Sequence, residues 1–138
     1  MEQLAVEIVG LCREYGECRV EAERMEEARR VKNALESVCS MARQRLDISD
    51  PALLLALLDA CEVTRDEGML QEVLDVVGRN LDRLAVSAES VKLLAYCYYY
   101  VEEEECVERA GRMLEELRKM GRGEEELADV ETILEELT

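Results

Sequence analysis

The sequence predicts an all-α protein of about seven helices, arranged as stacked antiparallel helical hairpins, a short α-solenoid or helical bundle. Three observations carry this. Breakers are scarce, with one proline, Pro51, and seven glycines in 138 residues. Apolar residues recur at spacings of three and four through most of the chain, the period of a helix with one buried face. Residues 49–121 repeat a two-helix pattern with a period near 37.

Taken in order, Leu4, Ile8, Leu11 and Tyr15 form one apolar stripe on a first helix, and Gly16 is its expected stop. A second helix is expected from Val20 to Leu46. Its apolar positions are Met25, Ala28, Val31, Ala34, Leu35, Val38 and Ala42. Glu26 and Arg30 form an i,i+4 pair on its polar side, worth about 0.2–0.5 kcal/mol. Asp50-Pro51 marks the clearest boundary, because Asp50 can cap a helix and proline suits the first helical position.

The third helix, Ala52 to Thr64, contains the all-apolar run Leu53 to Leu58 and therefore belongs at the centre. Residues 65–68 form a turn, and a fourth helix spans Met69 to Leu84. Ser87 caps a fifth, Ala88 to Val101. A charged turn, Glu102 to Glu105, leads to a sixth, Cys106 to Met120, which Gly121-Arg122-Gly123 breaks. The seventh, Glu124 to Leu137, places Leu127, Val130, Ile133, Leu134 and Leu137 on one side.

The repeat lies in residues 49–86 and 87–121, each reading as cap, apolar helix, charged turn, amphipathic helix. Ser49 and Ser87 are 38 positions apart, and Met69-Leu70-x-x-Val73 falls on Cys106-Val107-x-x-Ala110 at 37. Residues 1–48 read as an earlier, longer pair, and residues 122–138 as a capping helix, within one helical domain spanning 1–138. The architecture resembles the αα-hairpin superfamily of tetratricopeptide, HEAT and armadillo arrays, and the stretch Leu93 to Leu117 supplies Tyr96, Tyr100 and Ala110. The period is also similar to that of the 37–38-residue helical repeats of organellar RNA-binding proteins, a likeness that implies RNA binding.

Charge bears on that implication. The net charge is −16. Residues 1–48 hold 10 acids against 8 bases, and residues 49–138 hold 23 against 9. Nucleic acid needs basic side chains to displace counterions, so the repeat region is a poor partner for it. An anionic membrane surface is disfavoured for the same reason, and no apolar run approaches a membrane span. If RNA is bound, the strip to carry it is Arg24, Arg29, Arg30, Arg43 and Arg45.

His, Phe and Trp are absent. This removes Ser-His-Asp and Cys-His catalysis, histidine metal ligands and the Glu-x-x-His di-iron motif that Glu23, Glu26, Glu27 and Glu36 would otherwise suggest. No phosphate loop is present, so an enzyme is not expected, nor a cofactor or a metal. The six cysteines, at 12, 18, 39, 61, 97 and 106, lack C-x-x-C spacing and read as reduced core residues of a cytoplasmic protein. Cys97 and Cys106 flank one turn and are the candidate disulfide. Glu102 to Glu105 lacks the Asp, Asn and Gly pattern of a calcium loop and reads as a solvated turn.

The most unusual local feature is Tyr96-Cys97-Tyr98-Tyr99-Tyr100. Four tyrosines cannot enter one core seam, and tyrosine favours interfaces because it joins apolar area to a polar tip. Tyr98 and Tyr99 are the surface candidates, with Tyr96 and Tyr100 filling the core. Leu54 and Leu58 join them as interface candidates, on the ground that so short an array leaves an all-apolar helix partly uncovered. The expected function is a non-enzymatic protein-interaction or assembly module. Its partner is another protein, a second copy of the chain included. The alternatives are an acidic chaperone or decoy for a basic protein surface, and an RNA-binding repeat.

Overall fold

The computed structural model describes residues 2–121 and 124–137. These form seven α-helices and two short 3-10 turns, with no strand among them. The helices are α1 (Glu2–Cys18), α2 (Met25–Arg43), α3 (Pro51–Thr64), α4 (Glu67–Arg79), α5 (Ala88–Val101), α6 (Glu104–Lys119) and α7 (Glu124–Leu137). The chain divides into two compact units, residues 1–75 and 76–138. In the first, α1 packs on α2 and α3, and α2 touches α3; in the second, α5 packs on α6 and α7, and α6 touches α7.

The seven-helix, all-α architecture is as the spacing predicts. The boundaries differ in ways that backbone geometry explains. α1 runs past Gly16 to Cys18, because a glycine in a helix costs only about 1 kcal/mol and its neighbours Tyr15 and Cys18 pack inward. The second helix is shorter than Val20 to Leu46. Glu21 is extended, residues 22–24 make a 3-10 turn, and the α-helix begins at Met25. It closes early because Arg45 N–H bonds to Ala42 O, tightening the last turn. Met25 and Ala34 face solvent; Ala28, Val31, Leu35, Val38, Cys39 and Ala42 form the buried stripe. The fourth helix ends at Arg79, where the Asn80 side chain donates to Val76 O at 2.7 Å, and a 3-10 turn covers residues 81–83. Arg122, Gly123 and the Leu137 side chain lie outside what is described. Gly121 sits at φ 68, which glycine adopts without strain.

The two central helix pairs, α3–α4 and α5–α6, repeat along the chain with one register. The N-caps are Asp50 and Ser87, 37 positions apart, rather than Ser49 and Ser87. Asp50 Oδ1 accepts from Leu53 N–H at 3.2 Å. Ser87 Oγ accepts from Ser90 N–H at 3.1 Å. α3 and α5 are each 14 residues long. Both stop at a residue in the left-handed conformation, Arg65 (φ 58) and Glu102 (φ 53), again 37 apart. Their amides donate to Cys61 O and Tyr98 O, the same position in each copy. α4 and α6 then begin at Glu67 and Glu104. Only two residues separate the helices of each pair, so the expected four-residue turns at 65–68 and 102–105 are half that length.

Candidate functional site

The tyrosine segment lies at the C-terminal end of α5. Cys97 is buried there, with Leu93, Leu94 and Ala95 one turn earlier, and these fix the helix face. That leaves Tyr99 60% exposed and Val101 41% exposed. Tyr96, Tyr98 and Tyr100 are half-buried. The Tyr99 ring meets Tyr100 edge-on, with centroids 5.1 Å apart and planes at 79°. This T-shaped contact aligns one ring's positive edge with the other's negative face and restrains Tyr99 before any partner arrives. Glu102, Glu103, Glu104 and Glu105 follow and are all exposed. Tyr99 and Val101 are thus exposed at the end of α5, two positions apart and so on different sides of the helix, and the four carboxylates follow directly in the chain.

Leu54 and Leu58 take a different place. Leu54 is fully buried and Leu58 is 3% exposed. The expectation that α3 is left partly uncovered is therefore corrected: its apolar run is buried within the chain, where α3 packs on α1 and α2. Neither leucine offers area to a partner in this conformation.

A second arrangement was not foreseen from the residues. The end of α4, the 3-10 turn after it and the first half of α6 enclose a cleft of about 400 Å³. Gly78 and Leu81 line it together with Arg79, Arg109, Arg112, Asp82, Glu105 and Glu108. Arg109 Nη2 donates to Asp82 O at a long 3.4 Å. Its Nε is buried and has no hydrogen-bond partner among the described residues. Leaving such a donor unmet costs about 1–3 kcal/mol. The arginines were hidden in the sequence because Glu105 and Glu108 stand four residues before Arg109 and Arg112, the spacing of ordinary helix-surface ion pairs.

The basic residues of the first unit are differently disposed. Arg24 donates from Nε and Nη2 to the Glu27 carboxylate at 2.9 and 3.0 Å. This holds Glu27 below the usual carboxylate range. Arg43 binds Glu72 through both Nε and Nη2, and lies 3.6 Å from Asp66. The same fork lowers the Glu72 pKa. Of the five arginines in the expected phosphate strip, two are therefore already bound to carboxylates, while Arg29, Arg30 and Arg45 are exposed.

All six cysteines are buried and free, Cys97 and Cys106 included. Burial pushes the thiols of Cys12, Cys61 and Cys97 up to about 12 and that of Cys39 to about 11. A thiol held so far from its thiolate is a poor nucleophile and a poor metal ligand. Among the described residues, no group of three or more Cys, Asp or Glu is placed to hold a metal ion. No described helix is long and apolar enough to cross a membrane.

Compared with known proteins, the chain matches no family model, no curated protein and no solved structure.

Proposed function

We propose that this protein is an interaction module that binds a basic segment of another protein at the C-terminal end of α5. The observation that carries the reading is Tyr99, an exposed ring held edge-on by Tyr100 and followed three residues later by four consecutive exposed glutamates. Rigid aromatic anchors supply much of the energy of protein interfaces at small entropic cost. The glutamate run adds charge complementarity, which raises association rate and rejects acidic partners. The fitting occupant is a segment with one apolar side chain flanked by lysine or arginine. A second copy of the chain fits less well, because each copy carries −16. The repeated 37-residue helix pair supports placing the chain beside tetratricopeptide, HEAT and armadillo arrays, whose stacked helices present extended binding surfaces. Nothing in the two half-neutralised arginine groups of the first unit favours RNA over protein.

The test is a titration with a lysine-rich peptide containing one central leucine, followed by tyrosine emission, at low and at high salt. Binding that weakens at high salt, and weakens tenfold or more in Tyr99→Ala, is expected. Affinity unchanged by Tyr99→Ala, or indifferent to salt, overturns the proposal.

A further inference from the structure

We infer that the cleft between the end of α4 and α6 is a binding site for a small phosphate monoester carrying hydroxyl groups. The site shares Glu105 with the glutamates that follow Tyr99 but does not rest on the reading given to the tyrosine segment.

Three arginines, Arg79, Arg109 and Arg112, line one cleft of about 400 Å³. Each is formally free to pair: among the described residues, none of the three forms an ion pair. This is notable for Arg109 and Arg112, since Glu105 and Glu108 lie at the helical spacing for pairing and line the same cleft. Arg109 Nε is buried without an acceptor, so the cleft holds a donor whose partner the chain does not supply. Guanidinium groups are planar forks that match the oxygens of phosphate, and three of them suit a dianion better than a single carboxylate.

The carboxylates set the rest of the ligand. Asp82, Glu105 and Glu108 accept hydrogen bonds and repel further negative charge. A ligand with one phosphate and several hydroxyls satisfies both halves of the cleft. A polyphosphate chain or a nucleic acid strand does not, because its neighbouring phosphates would lie against the acids and against a protein of net charge −16. The volume falls at the small end of ordinary ligand pockets, which run about 300–1,000 Å³.

The experiment is a titration of the full chain with glycerol 3-phosphate, followed by amide chemical shifts, with inorganic phosphate, glycerol and acetate as separate arms. Expected is saturable binding of glycerol 3-phosphate, with a dissociation constant on the order of 1 mM or tighter. Shifts should centre on residues 78–82 and 105–112, inorganic phosphate should bind more weakly, and glycerol and acetate should not bind. Arg109→Gln should weaken binding about tenfold, the loss of one charge-assisted pair. Arg112→Gln, at an exposed position, should weaken it comparably. Arg29→Gln, on the exposed face of α2, should leave it unchanged. Non-saturating shifts, or equal weakening by Arg29→Gln, would show diffuse charge attraction and overturn the site. Equal affinity for inorganic phosphate and the ester would overturn the role given to the carboxylates. Saturable binding of acetate would overturn the choice of phosphate.

Discussion

At the scale of single residues, the least conventional positions are Arg65 and Glu102. Both hold left-handed backbone, φ 58 and φ 53, where helices commonly end on glycine. A side chain there costs about 1–2 kcal/mol, part of which glycine forfeits through its greater freedom when unfolded. Glu102→Gly is therefore expected to stabilise the fold by about 0.5–1 kcal/mol. The measurement is a urea midpoint shifted upward with unchanged slope; a midpoint that falls contradicts it. These positions also mark a limit of the sequence. Asp50 and Ser87 were legible as caps because a short side-chain oxygen precedes an apolar helix in both places. The helix ends at Thr64 and Val101, just before Arg65 and Glu102, were legible, but the left-handed backbone that makes them was not, because neither residue is glycine. The starts of α4 and α6 were read two residues late, at Met69 and Cys106 instead of Glu67 and Glu104, so the turns were read as twice their length. Tyr99 was legible as exposed from the impossibility of seating four rings in one seam, but the same argument put Tyr98 on the surface and Tyr96 and Tyr100 in the core, whereas all three are half-buried. Leu54 and Leu58 were misread because coverage of α3 depends on how other helices pack on it, and a local run of apolar residues carries no record of that.

At the scale of elements, α5 shows how a short polar motif fixes a helix start. Ser87 Oγ accepts from Ser90 N–H and donates to Ser90 Oγ at 2.9 Å, and Ser90 is fully buried. The two hydroxyls thus satisfy one orphan amide and each other. Asp50 on α3 makes only the cap bond, to Leu53 N–H. Removing Asp50 costs the cap, about 1 kcal/mol. Removing Ser87 costs the cap and also leaves the buried Ser90 hydroxyl without its partner, a further penalty of about 1–3 kcal/mol. Ser87→Ala should therefore destabilise by about 2 kcal/mol or more, against about 1 kcal/mol for Asp50→Ala. In chemical unfolding, Ser87→Ala with Ser90→Ala should cost less than the sum of the two changes made singly. Additivity would show that the hydroxyl pair contributes nothing. The repeat itself was readable at this scale, since caps and apolar runs recur at 37. The arginine cleft was not, because Arg79 stands 30 positions before Arg109 and only the approach of α4's end to α6 joins them.

For the whole molecule, ionisation sets a window of stability. Glu27 and Glu72 titrate below the ordinary 4.5 in the folded state, because Arg24 and Arg43 hydrogen-bond to them first of all. Their contribution is present above that value and is lost as pH falls below it. The buried thiols act at the other end. Folded Cys97 titrates at about 12 against an ordinary 9.0, so above pH 9 the unfolded chain releases protons that the folded chain keeps. Stability falls as pH rises through that interval, and Cys12, Cys39 and Cys61 add to the same slope. Growing negative charge acts in the same direction. Cys97→Ala separates the two: its unfolding free energy should decline less steeply above pH 9 than that of the parent chain. Parallel declines would assign the effect to charge repulsion instead. The sealing of all six thiols has another use. Four of them, Cys12, Cys18, Cys39 and Cys61, lie in residues 1–75, and two, Cys97 and Cys106, in residues 76–138. A small alkylating reagent meets each sulfur only when its surroundings open. Mass spectrometry of the labelled peptides then times the breathing of each unit separately, with clocks already built into the chain.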